Sequence, residues 1–233
     1  FIPTMGGLGI LGVALVGGLL HSGGSAAATW VLGVLFSFSL IGFLDDSLSL
    51  MHENNKGLSA RHKFGLQIGF GIGLISCYHL FILPLSLLQS AFYVFLLVGT
   101  SNATNLTDGL DGLLGGTSLI SLLGFYLLSL TVLPHLSWVP LTLFVGVLSF
   151  LVFNLHPAKV FMGDTGSLGL GAAFAAFAIV LGQPLVLIPL GIVYIIETLS
   201  VIIQVISFKS RGKRVFLMSP IHHHFELMGL KEP

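Results

Sequence analysis

The sequence predicts an all-α, polytopic transmembrane helical bundle, and three observations carry the prediction. Hydrophobic residues make up 55% of the 233 and charged residues only 8%, whereas about a quarter of a water-soluble domain is charged. The apolar residues fall into runs close to the roughly 20 helical residues that cross a bilayer core. The linkers between runs alternate in charge, one kind holding every Lys and Arg and the other holding none.

Eight spans follow, at residues 5–20, 26–44, 64–83, 85–104, 113–133, 138–155, 168–181 and 185–208. The seventh is short, and the fourth ends in polar residues. Residues 21–25, the turn at Pro84, residues 134–137 and residues 182–184 carry no charge. The other linkers hold Lys56, Arg61, Lys63, Lys159, Lys209, Arg211, Lys213, Arg214 and Lys231. The positive-inside rule makes that second face cytoplasmic and puts both chain ends on it. A single miscounted span would spread the cations over both faces. With no tandem repeat or low-complexity segment, residues 1–233 read as one integral membrane domain. Phe1 is not a Met and no basic leader precedes the first apolar run, so the chain reads as a fragment with a missing start. The single cysteine, Cys77, excludes an intrachain disulfide, and zero net charge gives no reason to expect a nucleic acid partner.

The carboxylates need a separate account, because the positive-inside rule concerns Lys and Arg alone. Eight of the nine acids share the cytoplasmic face, and the ninth, Glu197, falls inside the last span. Asp45 and Asp46 close an apolar run, at a helix C-terminus whose dipole disfavours negative charge unless a cation is near. They serve as metal or substrate ligands, or they are solvated loop acids. Asp108 and Asp111, three apart, share a face if helical, and Asn102 and Asn105 add amides nearby; the same residues suit a polar turn. In the segment from Asn154 through Lys159 and Phe161 to Asp164, Thr165 and Ser167, an acid stands between a lysine and a helix N-terminus. Such a terminus offers backbone N–H groups to phosphate, and Phe161 offers a stacking face to a nucleobase; the alternative is an N-capping Asp beside an incidental Phe. His222, His223 and His224 are adjacent, which rarely suits one zinc ion, and phosphate or carbonyl binding fits them better. Carboxylates, lysines, glycines and histidines at one membrane face are the parts of magnesium-dependent phosphoryl transfer. The substrate reached there would be partly water-soluble and partly lipid.

Five segments also resemble the phospho-N-acetylmuramoyl-pentapeptide-transferase family, in order and along essentially the whole chain: residues 3–7 (PTMGG), 42–46 (GFLDD), 105–112 (NLTDGLDG), 161–167 (FMGDTGS) and 220–226 (PIHHHFE). That family has ten helices with cytoplasmic active-site loops, so the resemblance implies a fragment lacking the first and last helices. It implies a bacterial plasma-membrane enzyme that moves phospho-muramoyl-pentapeptide from its UDP carrier to undecaprenyl phosphate. The products are lipid I and UMP, in the first membrane step of peptidoglycan synthesis. By motif, Asp164 would bind Mg2+, and Asp45 and Asp46 would activate or position the lipid phosphate. Asp111 and Phe161 would hold the uracil, with Lys63, Asn105, Asp108 and Asn154 lining the site and His222, His223 and His224 on the nucleotide-sugar. The expected partners are UDP-MurNAc-pentapeptide, undecaprenyl phosphate and the bilayer; the oligomeric state stays open, a homodimer included.

Two rival readings are retained. A sister enzyme transferring N-acetylhexosamine phosphate to a polyprenyl phosphate would share Asp45, Asp46 and Asp164, although the PTMGG and SPIHHHFE segments favour the muramoyl enzymes. An ion-coupled transporter rests on Glu197 and Gln204, since intramembrane acids often mark ion paths.

Overall fold

The computed structural model describes residues 2–21, 25–51 and 57–230. Lys56 and Lys231, two of the cations behind the sidedness argument, lie outside the described residues. Ten α-helices follow in order: α1 Gly7–Leu20, α2 Ala26–Met51, α3 Ala60–Phe81, α4 Leu87–Thr107, α5 Leu113–Val132, α6 Trp138–Asn154, α7 Gly163–Val180, α8 Leu187–Leu190, α9 Ile192–Arg211 and α10 Ile221–Leu227. No strand occurs among the described residues. Helices α2, α3, α5, α6, α7 and α9 are long and apolar enough to span a bilayer, α6 together with the 3₁₀ turn that precedes it. The chain is therefore a multi-pass membrane protein. Each of the eight expected segments is helical, but α1 has only 14 residues, and α4 spends its last turns on the polar sequence SNATNLT.

Local signals start several helices. Ser59 caps α3 by accepting from the His62 N–H at 3.3 Å. Ser86 and Gln89 form a reciprocal capping box at α4. Three boundaries differ from the sequence expectation. α2 continues past Leu44 to Met51, which puts Asp45 and Asp46 inside the helix rather than at its end. α7 begins at Gly163 rather than Leu168, so the polar GDTGS sequence is its first turn. The last expected span is interrupted at Gly191, which separates α8 from α9; Pro189 removes a helical donor just before the break.

α7 is the axis of the bundle, buried along nearly its whole length although its side chains are mostly small. Lipid is as apolar as leucine, so helices in a membrane hold together by close packing and by hydrogen bonds between them. α7 supplies both. A Cβ on Gly169 would overlap the Ser39 hydroxyl of α2. Toward α4, the Ser101 hydroxyl donates to the Leu168 carbonyl at 3.0 Å and the Thr104 hydroxyl to the Ser167 carbonyl at 2.8 Å. Farther along, Phe174 stacks on Phe125 of α5 and on Tyr194 of α9, with ring centroids 6.0 and 5.8 Å apart.

Replacing Gly169 with Leu should force α2 away from α7 and cost about 1–3 kcal/mol, the usual penalty for overpacking. The measurement is the melting midpoint of the purified protein in detergent, and an unchanged midpoint would contradict this account of α7.

Candidate active site

The ends of α2, α3, α4 and α7 meet around four carboxylates, one lysine and one asparagine. Their approach depends on Gly42 of α2, where a Cβ would overlap the Asp164 carbonyl. With that turn pressed against the start of α7, Asp46 reaches the α7 N-terminus. Its Oδ1 accepts from the Asp164 N–H at 3.1 Å, and its Oδ2 accepts from the Thr165 N–H at 2.9 Å and the Thr165 hydroxyl at 2.7 Å. The N–H groups that the sequence offered to a phosphate are thus occupied by a carboxylate of the protein itself. Gly163 makes the entry to α7 with φ at +75°, a conformation that costs glycine little.

Asp45, one residue back and on another side of α2, accepts from the Leu58 N–H at 2.7 Å through Oδ1 and from Lys63 Nζ at 3.0 Å through Oδ2. Lys63 also donates to Asp164 Oδ2, so one ammonium bridges the two carboxylates. The other oxygen of Asp164 accepts from Asn105 Nδ2 at 2.7 Å, and the same amide nitrogen reaches the Ser167 hydroxyl at 3.0 Å. Asp45, Asp46, Lys63, Asn105 and Asp164 therefore form one connected network.

Asp108 and Asp111 lie in the turn between α4 and α5, not on a common helix face. The sequence expectation of a shared helical face fails because α4 ends at Thr107. Both nevertheless line a cavity of about 450 Å³ together with Asp46, Asn105, Phe161 and Asp164. Burial, and then the charges of Asp164 and Asp46, push the Asp108 carboxyl up from 3.8 to about 7. Asp111 Oδ2 accepts from the Ala158 N–H at 2.9 Å and lies 2.9 Å from His156 Nδ1. Asn154 holds the far wall, accepting from the Gly112 N–H at 3.0 Å and donating to the Val160 carbonyl at 2.9 Å. Phe161 keeps an exposed ring at the cavity. A second cavity, about 550 Å³, is lined by Arg61, Lys63, Phe64, Asn102 and Asn105. The two cavities share Asn105.

The three histidines separate. His222 is buried and turns to Glu197. His223 Nδ1 lies 2.7 Å from Glu226 Oε2 on its own helix, and His224 Nδ1 accepts from the Leu217 N–H at 3.1 Å. Only His222 comes close to the carboxylate cavity, through Gly109. Thr4, within the PTMGG segment, also lines the cavity; that segment carries part of the family resemblance, but the sequence gives Thr4 no role, since a lone Thr carries no chemical signal of its own.

The donors fit a hard divalent cation. Among the described residues the side chains around the bridged carboxylates offer oxygen ligands, and the charges of Asp164 and Asp46 add to burial in raising the Asp108 carboxyl. Among the described residues no three His, Cys, Asp or Glu stand close enough to form a protein cage. That suits an ion that keeps waters and takes its remaining ligands from substrate phosphates. Each Asp164 oxygen has one partner and retains a second lone pair for a cation.

Comparison with known proteins adds identity to this geometry. The sequence model of glycosyl transferase family 4 matches residues 28–182. The phospho-N-acetylmuramoyl-pentapeptide-transferase of Oceanobacillus iheyensis is 46% identical over 255 residues, covering 99% of this chain and 77% of that protein. The protein of the same name from Staphylococcus aureus is 44% identical over 250 residues, covering 99% of this chain and 78% of its own length. The one from Bacillus thuringiensis is 46% identical, covering 99% and 76%.

A carboxyl raised on folding opposes the folded state once it ionises. For Asp108 that penalty is absent below about pH 4, grows between 4 and 7, and is full above 7. Asp108→Asn should therefore raise the melting midpoint at pH 8 in a chelator and raise it much less at pH 5. Equal effects at both values would show that Asp108 does not carry the burden.

Proposed function

Because the chain belongs to the phospho-N-acetylmuramoyl-pentapeptide-transferase family, we propose that it transfers phospho-N-acetylmuramoyl-pentapeptide from its UDP carrier to undecaprenyl phosphate. Lipid I and UMP are the products, in the bacterial plasma membrane, with the site on the cytoplasmic side. The observation that carries the reading is the network of Asp45, Asp46, Lys63, Asn105 and Asp164 between two cavities that share Asn105. Two cavities on one network suit two substrates. The cavity with Asp111 and the exposed Phe161 suits the uridine end of the donor, by stacking and by hydrogen bonding. The cavity with Arg61, Lys63 and Phe64 suits a lipid phosphate arriving from the bilayer edge.

The chemistry asks little of a general base. An oxygen of the lipid phosphate bonds to the sugar-bearing phosphorus while the bond from that phosphorus to UMP breaks, and UMP leaves with the electron pair. A phosphomonoester is largely ionised near neutral pH, so it needs orientation more than deprotonation. Direct attack is favoured further because Asp45 and Asp46 already hold partners on all four oxygens. Lys63 would neutralise charge between the substrates, Asn105 would keep Asp164 turned to the donor cavity, and Asp46 would fix the start of α7. The bound Mg2+, held by Asp164 and the substrate diphosphate, would screen the phosphates and polarise the phosphorus.

The transporter reading loses both residues that suggested it. Glu197 is hydrogen-bonded to His222, and Gln204 accepts from the N–H groups of Val215 and Phe216 at 2.9 and 3.0 Å. These contacts anchor the segment that returns along α9.

Membranes carrying the full-length protein should release UMP from UDP-MurNAc-pentapeptide when undecaprenyl phosphate and magnesium are supplied. Chelation should stop the release, and Asp164→Asn should lower it about a hundredfold or more. Undiminished release by the Asn variant would remove Asp164 from the site, and release from UDP-N-acetylglucosamine alone would assign the sister activity. Sidedness is tested with Cys77 replaced by Ala: a cysteine at Gln183 should react with an impermeant thiol reagent in intact spheroplasts, and one at Arg211 only after permeabilisation. The reverse pattern would invert the topology.

A further inference from the structure

Glu197 is an acid in the apolar interior of the last span, and the proposed chemistry gives it no part. In the structure it meets His222, each side chain only 4% exposed. Glu197 Oε2 lies 3.1 Å from His222 Nδ1 and also accepts from the His222 backbone N–H at 3.4 Å. A carboxylate only accepts, so Nδ1 is the ring nitrogen that carries the hydrogen. The pair is delivered by α9 itself. The Ser207 hydroxyl donates to the Lys213 carbonyl at 2.9 Å, and Gln204 bonds the backbone of Val215 and Phe216. The segment after α9 is thereby laid back along the helix until His222 reaches Glu197.

The other ring nitrogen, Nε2, is buried without a hydrogen-bond partner. It lies against Gly109, where a Cβ would overlap it, and Gly109 lines the carboxylate cavity next to Asp108. A bare ring nitrogen kept out of water is costly unless something meets it. The missing side chain at Gly109 is what lets the ring stand directly against the wall of that cavity.

We propose that Glu197 is a positioning residue, which fixes the tautomer and rotation of His222 so that Nε2 accepts a hydrogen bond from a hydroxyl or amide N–H of the nucleotide-linked sugar substrate. The proposal rests on the function assigned above. It also separates His222 from its two neighbours, whose ring nitrogens are turned to Glu226 and to the backbone of Leu217.

Steady-state kinetics of the full-length enzyme test it. Glu197→Leu and His222→Ala should each raise KM for UDP-MurNAc-pentapeptide about tenfold, the scale of one lost hydrogen bond of this kind. KM for undecaprenyl phosphate should stay unchanged, and kcat should change much less than KM for the nucleotide. The double variant should be no worse than His222→Ala, because Glu197 acts through that ring. Glu197→Gln, whose amide oxygen still accepts from Nδ1–H, should recover most of the loss. Additive losses, or an equal rise for the lipid phosphate, would mean a general structural role and overturn the proposal. A wild-type enzyme that consumes no UDP-MurNAc-pentapeptide would sink the assigned function instead. Nitrogen-15 NMR of the His222 ring decides the tautomer without turnover: the Nδ1–H signature should be present in the wild type and in Glu197→Gln and be lost in Glu197→Leu. The same signature in all three would also overturn the proposal.

Discussion

The site depends on one carboxylate that acts as a helix cap across the bundle. Asp46 satisfies two N–H groups and a hydroxyl at the start of α7, from a different helix. The first N–H groups of any helix have no partner within it, and with Asp46 and Thr165 buried little water is available to take that place. Asp46 meets two of them, and the positive end of the α7 dipole favours its charge in return. The same bonds fix the register between α2 and α7. Asp45 is then carried to Lys63, and Asp164 to Asn105.

This arrangement explains why α7 is both the most buried helix and one of the least bulky. A central helix with large side chains would hold α2 and α4 apart. Gly42 of α2 against the Asp164 carbonyl and Gly169 against Ser39 bring α2 close to α7, and Gly171 against Thr104 brings α4 close enough for the side chain to backbone bonds from Ser101 and Thr104. The energetic role of the small residues is therefore indirect. They permit hydrogen bonds between helices, and those bonds hold acids of like charge near one another, with Lys63 as the internal counter-ion.

Much of this was legible in the sequence, for identifiable reasons. Apolar runs gave the helical segments, because a bilayer imposes their length directly. The density of acids and amides at span ends singled out residues that the fold brings around two neighbouring cavities. What hydropathy could not give was where polar turns of helix begin or end. Asp45 and Asp46 looked terminal because polar residues resemble a boundary, yet a helix continues through them wherever tertiary partners accept their charges. The GDTGS sequence was excluded from α7 for the same reason. The pairing of Asp46 with residues 164 and 165 joins positions far apart in the chain, and no local pattern announces it. Glu197 looked like a transport residue because its partner lies 25 positions away, beyond a turn whose return path only the fold specifies.

The two halves of the site differ in how they are held, and this bears on how they would work. The carboxylate network belongs to the ends of long helices and is tied to the buried axis of the bundle, so its geometry is set before any ligand arrives. The Asp108 turn and His222 touch where Gly109 has no side chain, and His222 is tethered from behind by the Glu197 carboxylate. Charges that must stabilise a reacting diphosphate gain most from the rigid half, since reorganising them during the reaction would raise its barrier. Recognition of a large, variable sugar-peptide can tolerate a contact that adjusts. In the proposed reaction the chemistry would fall on helix ends and the recognition on the turn and the returning segment, which pack together where Gly109 has no side chain.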